Sequence, residues 1–154
     1  MRNPTILASA GIAAALTLTL GGCSGTSAPD LGALKASVSS AVSGAKTSAD
    51  QARTAIDKAK SVLDGLTPQT RAKVQDAITS STTAIDKATA ALDAAKTSAT
   101  AASGTAADAE AALADARTKL DAAASSVQGT SKTALQALSA KIDDLSARLK
   151  STHS

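Results

Sequence analysis

The chain of 154 residues contains no Phe, Trp or Tyr, and one each of Cys, His and Met. Each scarcity removes a class of function. Without an aromatic ring nothing can stack on a nucleobase or a sugar, or cage a cation. A single thiol forbids an internal disulfide, and a single imidazole forbids a histidine-built metal cluster. The charge excess is small, 16 Lys+Arg against 13 Asp+Glu, and it is spread along the chain. It forms no basic stripe of the kind that binds nucleic acid. Three prolines are too few for a mucin-like stalk.

Alanine fills the space these residues leave. Ala occurs 39 times and Ser plus Thr another 39, while Leu, Ile and Val together reach 26, six of them in the first 20 residues. Ala is the strongest helix former, so the composition points to helix rather than sheet. So few large apolar side chains make a compact monomer marginal, and self-association or docking on another helical protein is expected.

No catalytic constellation can be assembled. His153 is the only imidazole, and it falls in the terminal segment 151–154, read as a disordered tail. There is no Gly-rich phosphate loop, no metal-spaced acid cluster and no paired-carboxylate site. The repeated Asp-Lys spacings read as solvated helix faces. The chain is therefore expected not to be an enzyme, to hold no cofactor or metal, and to bind neither nucleic acid nor a small-molecule substrate.

The sharpest local signal lies at the N-terminus. Arg2 precedes an uncharged, mostly apolar run of 15 residues, Ile6 to Leu20. A bilayer core of ~30 Å needs about 20 such residues, so this run is short for a membrane span and suits the core of a secretory signal. Leu20, Gly21 and Gly22 then lead directly into Cys23, the sole thiol. A thiol is nucleophilic enough at neutral pH to be alkylated, and small residues before it leave the backbone open to a peptidase. Segment 1–23 resembles the signal of bacterial lipoproteins, whose lipobox is Leu, then two small residues, then Cys. The resemblance implies recognition of Leu20, Gly21 and Gly22 by the lipoprotein signal peptidase and cleavage before Cys23. It also implies a covalent diacylglycerol on Cys23, often followed by N-acylation. Residues 1–22 would then be the signal peptide and 23–30 the lipidated Cys with a polar tether. The chain would face the extracytoplasmic side of a bacterial cell membrane or outer membrane.

Residues 31–150 read as an all-α, coiled-coil-like region of three or four helices forming antiparallel hairpins. Asp30 after Pro29 is a candidate N-cap, and apolar periodicity starts at Leu31. Val42, Ala49, Ile56 and Leu63 are spaced by seven, and Leu31, Val38, Ala45, Ala52, Ala59 and Leu66 form the companion line. A break is expected near 65–68, with Pro68 at the first helical position and Thr67 as N-cap. A second register, Ile78, Ile85, Leu92, Ala99, Ala106, Leu113, Leu120 and Val127, runs without a change of phase. Its companion line is Val74, Ser81 and then Ala88 to Ala123, so one large residue meets one small one per heptad and helices can approach closely. Gly104 lies on the outer face: either the helix continues through it, which the unbroken phase favours, or it breaks near 104 and Thr105 caps a new helix with Asp108 at the third position. Another break is expected at 129–131, with Gly129 as the stop and Thr130 or Ser131 as the new cap. The last seam is Leu135, Leu138, Ile142, Leu145 and Leu149, with Asp144 and Arg148 as an i,i+4 pair. Its segment Ala140 to Ser146 is similar to the heptads of murein lipoprotein. In that family a terminal lysine is joined to peptidoglycan, a role that would fall to Lys150.

These readings converge on a membrane-anchored envelope protein with a structural, scaffolding or partner-helix-binding role. Two alternatives stand beside it. One is a helical module lying flat on lipid with its apolar stripe inward. The other is a disordered Ser/Thr/Ala-rich surface stalk.

Overall fold

A computed structural model describes residues 31–152, with side chains described for 36–98 and 103–152. The fold is an all-α bundle of four helices, with no strand among the described residues: α1 (Leu31–Ser61), α2 (Pro68–Thr97), α3 (Ala99–Ser125) and α4 (Gly129–Ser151). A single 3-10 turn, Leu63–Gly65, links the first two. At 1.5 Å per residue the 31 residues of α1 span about 46 Å. Four helices over 31–152, packed together from Val42 onward, replace the disordered-stalk reading for that region.

Polar bridges give the direction of every helix. Lys46 meets Asp93 at 2.6 Å and Arg53 meets Asp86 at 3.0 Å, so α1 and α2 run antiparallel. Lys119 donates to the Ser80 hydroxyl at 2.8 Å and reaches Asp76 at 3.4 Å between α3 and α2. Arg117 pairs with Asp143 at 2.9 Å, and Ser139 donates to Asp121 at 3.2 Å, between α3 and α4. Lys141 donates to Gln51 at 2.8 Å, and Ser48 donates to Asp144, closing α4 onto α1. The result is an up-down-up-down bundle in which each helix neighbours the next and the last neighbours the first.

The heptad lines supply its core. Val42, Ala45, Ala49, Ala52, Ile56 and Ala59 of α1 are buried, as are all five large residues of the α4 seam. Val74, Ile78, Ser81, Ile85, Ala88 and Leu92 face them from α2, and Ala106, Ala109, Leu113, Ala116 and Leu120 from α3. Ser81 is fully buried and donates to the Ala77 carbonyl at 2.8 Å, so its hydroxyl is satisfied within its own helix. Among the described seam residues Leu63, Leu66 and Ala95 are half-buried at the margins of the core, and Val38 is 40% exposed, because the bundle does not extend that far along α1.

The corner between α2 and α3 falls at Ser98, not at Gly104. Ser98 is extended, with φ −159° and ψ 124°, and its N–H bonds the Ala94 carbonyl at 2.9 Å. Gly104 lies inside α3. The long register hides this corner because it is symmetric about residue 99. Ile78, Ile85 and Leu92 precede it by as many residues as Leu120, Leu113 and Ala106 follow it. A hairpin folded there sets each residue level with its counterpart, so a rod and a hairpin carry the same phase.

The other two corners refine the expected caps. Pro68 does open α2 and Thr67 is its extended N-cap residue, but the Thr67 hydroxyl pairs with that of Thr70 at 3.0 Å rather than with the backbone. The guanidinium of Arg71 holds this corner by donating to the carbonyls of Leu63, Asp64 and Leu66 at 3.1–3.3 Å. At the last corner the N-cap is Gln128, not Thr130 or Ser131, which lie within the first turn of α4. Gly129 adopts φ +63°, a left-handed conformation that costs glycine little and other residues more. At the C-terminus Ser151 is still helical and Thr152 is the C-cap, so the helix reaches one residue past the expected tail boundary. Asp30, His153 and Ser154 lie outside the described residues.

Candidate functional site

Cys23, Leu20, Gly21 and Gly22 lie outside the described residues, so the site begins where α1 begins. Three elements meet at that end of the bundle. The guanidinium of Arg148, in the last turns of α4, lies 3.0 Å from where a Cβ on Gly44 would stand. Lys46 reaches Asp93 near the end of α2, and the α2–α3 corner at Ser98 lies just beyond. Lys150 is exposed in the last turn of α4 at the same end.

The electrostatics here are those of surface pairs. The Lys46 ammonium beside it, donating a hydrogen bond, holds the Asp93 carboxyl below the usual carboxylate range. The same bond holds Lys46 above the usual lysine value. Asp144 is also lowered, first by the Ser48 hydroxyl and then by Arg148, which pairs with it at 3.1 Å as the i,i+4 spacing predicts. Lys119, on the α2–α3 flank, is raised although desolvation opposes it, because Asp115 and Asp76 together outweigh that cost. All these charged groups keep a third or more of their side-chain surface in water, so each pair contributes little to stability on its own.

Two shallow grooves mark the sides of the bundle. Between α1 and α4, Gln51, Thr54, Ala55, Lys58, Ala137 and Lys141 line about 370 Å³. Between α2 and α3, Thr79, Ser80, Thr83, Lys87, Ala112 and Asp115 line about 250 Å³. Neither brings together a nucleophile with a base or a set of metal donors. Among the described residues no group of three or more His, Cys, Asp or Glu is placed to hold a metal ion. Every buried side-chain polar atom among them has a hydrogen-bond partner. No described helix is long and apolar enough to cross a membrane.

No family model matches the chain, and neither a curated protein nor a solved structure does.

Sequence reasoning found the Asp144–Arg148 pair but missed its third member, Ser48, which lies 96 residues from Asp144. It also missed Arg71. Backbone carbonyls leave no mark in a sequence, and the only signal was an arginine in the first turn after Pro68.

Proposed function

We propose that the chain is a bacterial envelope lipoprotein, held to a membrane by acyl chains on Cys23, whose four-helix bundle has a structural or scaffolding role. One observation carries the reading. The only thiol stands at the end of a 15-residue apolar run, directly after Leu20-Gly21-Gly22. Each acyl chain adds roughly 0.8 kcal/mol per buried methylene, and two or more chains make anchoring stable. The bundle then serves as a compact, water-facing body presenting polar helix faces to a neighbouring helical protein.

The test is intact mass with detergent-phase partitioning, on the wild type and on Cys23→Ala. The expected wild type begins at Cys23, carries at least a diacylglycerol and enters the detergent phase, while the variant keeps its signal and does neither. A wild type that starts elsewhere or carries no lipid refutes the assignment. Lys150 has its own check: muramidase-released peptides that contain it unmodified throughout exclude linkage to peptidoglycan.

A further inference from the structure

The first turns of α1 stand clear of the bundle. Ala36 to Ser40 are five consecutive exposed residues, and 3.6 residues complete a turn, so no side of the helix there is buried among the described residues. The core starts at Val42. Counting on from Arg148 beside Gly44, and from Asp93 beside Lys46, both neighbouring helices end level with about residue 40. Residues 31–40 therefore project about 15 Å beyond them. In helical register Leu31, Leu34, Val38 and Val42 fall within about 80° of one another. The line that builds the core from Val42 onward thus continues toward the free end of α1, and Val38 on it is the large apolar side chain exposed among the described residues.

Charge gathers at the same end. Residues 31–48, 91–105 and 144–152 carry Lys35, Lys46, Lys96, Arg148 and Lys150 against two acids, Asp93 and Asp144. The opposite end, residues 56–75 and 120–135, carries five cations against three acids. No acid occurs between Leu31 and Ala49. Seven residues separate Cys23 from Leu31, and a chain of that length reaches at most about 29 Å even when fully stretched.

We infer that this end of the bundle is a contact surface for an anionic bilayer, with the face of α1 around Val38 entering the headgroup layer and the surrounding cations meeting lipid phosphates. The inference rests on the anchor proposed at Cys23, which holds the surface within reach of lipid at high effective concentration. The arm alone binds weakly, since its apolar face is short. Its cations add attraction that salt screens. A second copy is the poorer occupant. Two ten-residue arms bury far less than the ~1,000 Å² that a specific protein interface needs.

The experiment uses the full chain, processed in bacteria, weighed intact, and reconstituted into nanodiscs of phosphatidylcholine alone or with phosphatidylglycerol. A fluorophore on Ser39→Cys reports on the arm, and one on Gln128→Cys reports on the opposite end. Lipids with a headgroup spin label act as quencher. Quenching at position 39 is expected to be at least about twofold stronger in the anionic discs, and unchanged at position 128. Val38→Glu, or Lys96→Glu with Lys150→Glu, is expected to lower it by roughly threefold, as is 1 M salt. An acylated chain quenched equally weakly at both positions overturns the contact surface and leaves the anchor standing. A chain whose mass shows no acyl group overturns the anchor and this surface with it.

Discussion

Ala88 lies on the seam of α2 with no exposed surface, and its replacement by Leu tests the closed bundle through the sign of one energy. The change adds three carbon atoms. Were the seam an open stripe along a rod, waiting for a partner, those atoms would be buried on association. At roughly 0.8 kcal/mol per carbon they would then stabilise by about 2.4 kcal/mol. In the bundle the space is already occupied, and forcing extra carbons into a packed interior costs about 1–3 kcal/mol. With a urea slope on the order of 2 kcal/mol per molar, a 2 kcal/mol loss lowers the midpoint by about 1 M. The assay is urea unfolding followed by circular dichroism at 222 nm, at two protein concentrations tenfold apart. Ala90→Leu, on the exposed side of the same helix, is the control and is expected to stay within about 0.5 kcal/mol of wild type. A rise in the Ala88→Leu midpoint, or a midpoint that climbs with concentration, would refute the closed packing.

Two glycines are expected to respond in opposite directions. Gly104 is helical and a Cβ there would meet nothing within 4 Å, so Gly104→Ala should stabilise by about 0.5–1 kcal/mol. Gly129 has equal space but a φ of +63°, so Gly129→Ala should cost about 1 kcal/mol or more; thermal melts of the pair would show both signs. The lowered Asp144 carboxyl links stability to pH. Because its folded value lies below that of the unfolded chain, the stabilisation is complete above the ordinary aspartate value of about 3.9 and is lost as pH falls through the folded value. Asp144→Asn should therefore be less stable than wild type at pH 7, with the gap closing below about pH 3.9; a gap independent of pH refutes the linkage. Lys46 works in reverse: its raised value adds stability that persists through neutral pH and is lost only as pH climbs past the usual lysine range.

Much of the architecture was legible residue by residue. The α4 seam from Leu135 to Leu149 is buried at every predicted position, and so are Val42, Ala49 and Ile56 of α1 and the large residues from Ile78 to Leu92. Periodicity is a local property, and an apolar face must be covered by something. The Pro68 start and the Asp144–Arg148 pair were legible for the same reason, since each involves residues within one turn. The corner at Ser98 was not, because a repeat symmetric about residue 99 fits a straight rod and a hairpin equally. Val38 was placed on the seam, yet no pattern tells where the neighbouring helices stop.

The candidate site divides in the same way. The apolar run, the small residues and the lone Cys23 are contiguous, so the expectation of a lipid anchor needs the sequence alone. Lys46, Lys96 and Arg148 are far apart in the chain, and only the antiparallel order of the helices brings them to the end from which α1 projects. Composition and heptad spacing determined that this chain is helical and which face of each helix is buried, because both follow from neighbours within a few turns. Tertiary structure decided where the chain turns back, which helices meet and which charges share an end, because those depend on how four lengths of helix align around one core.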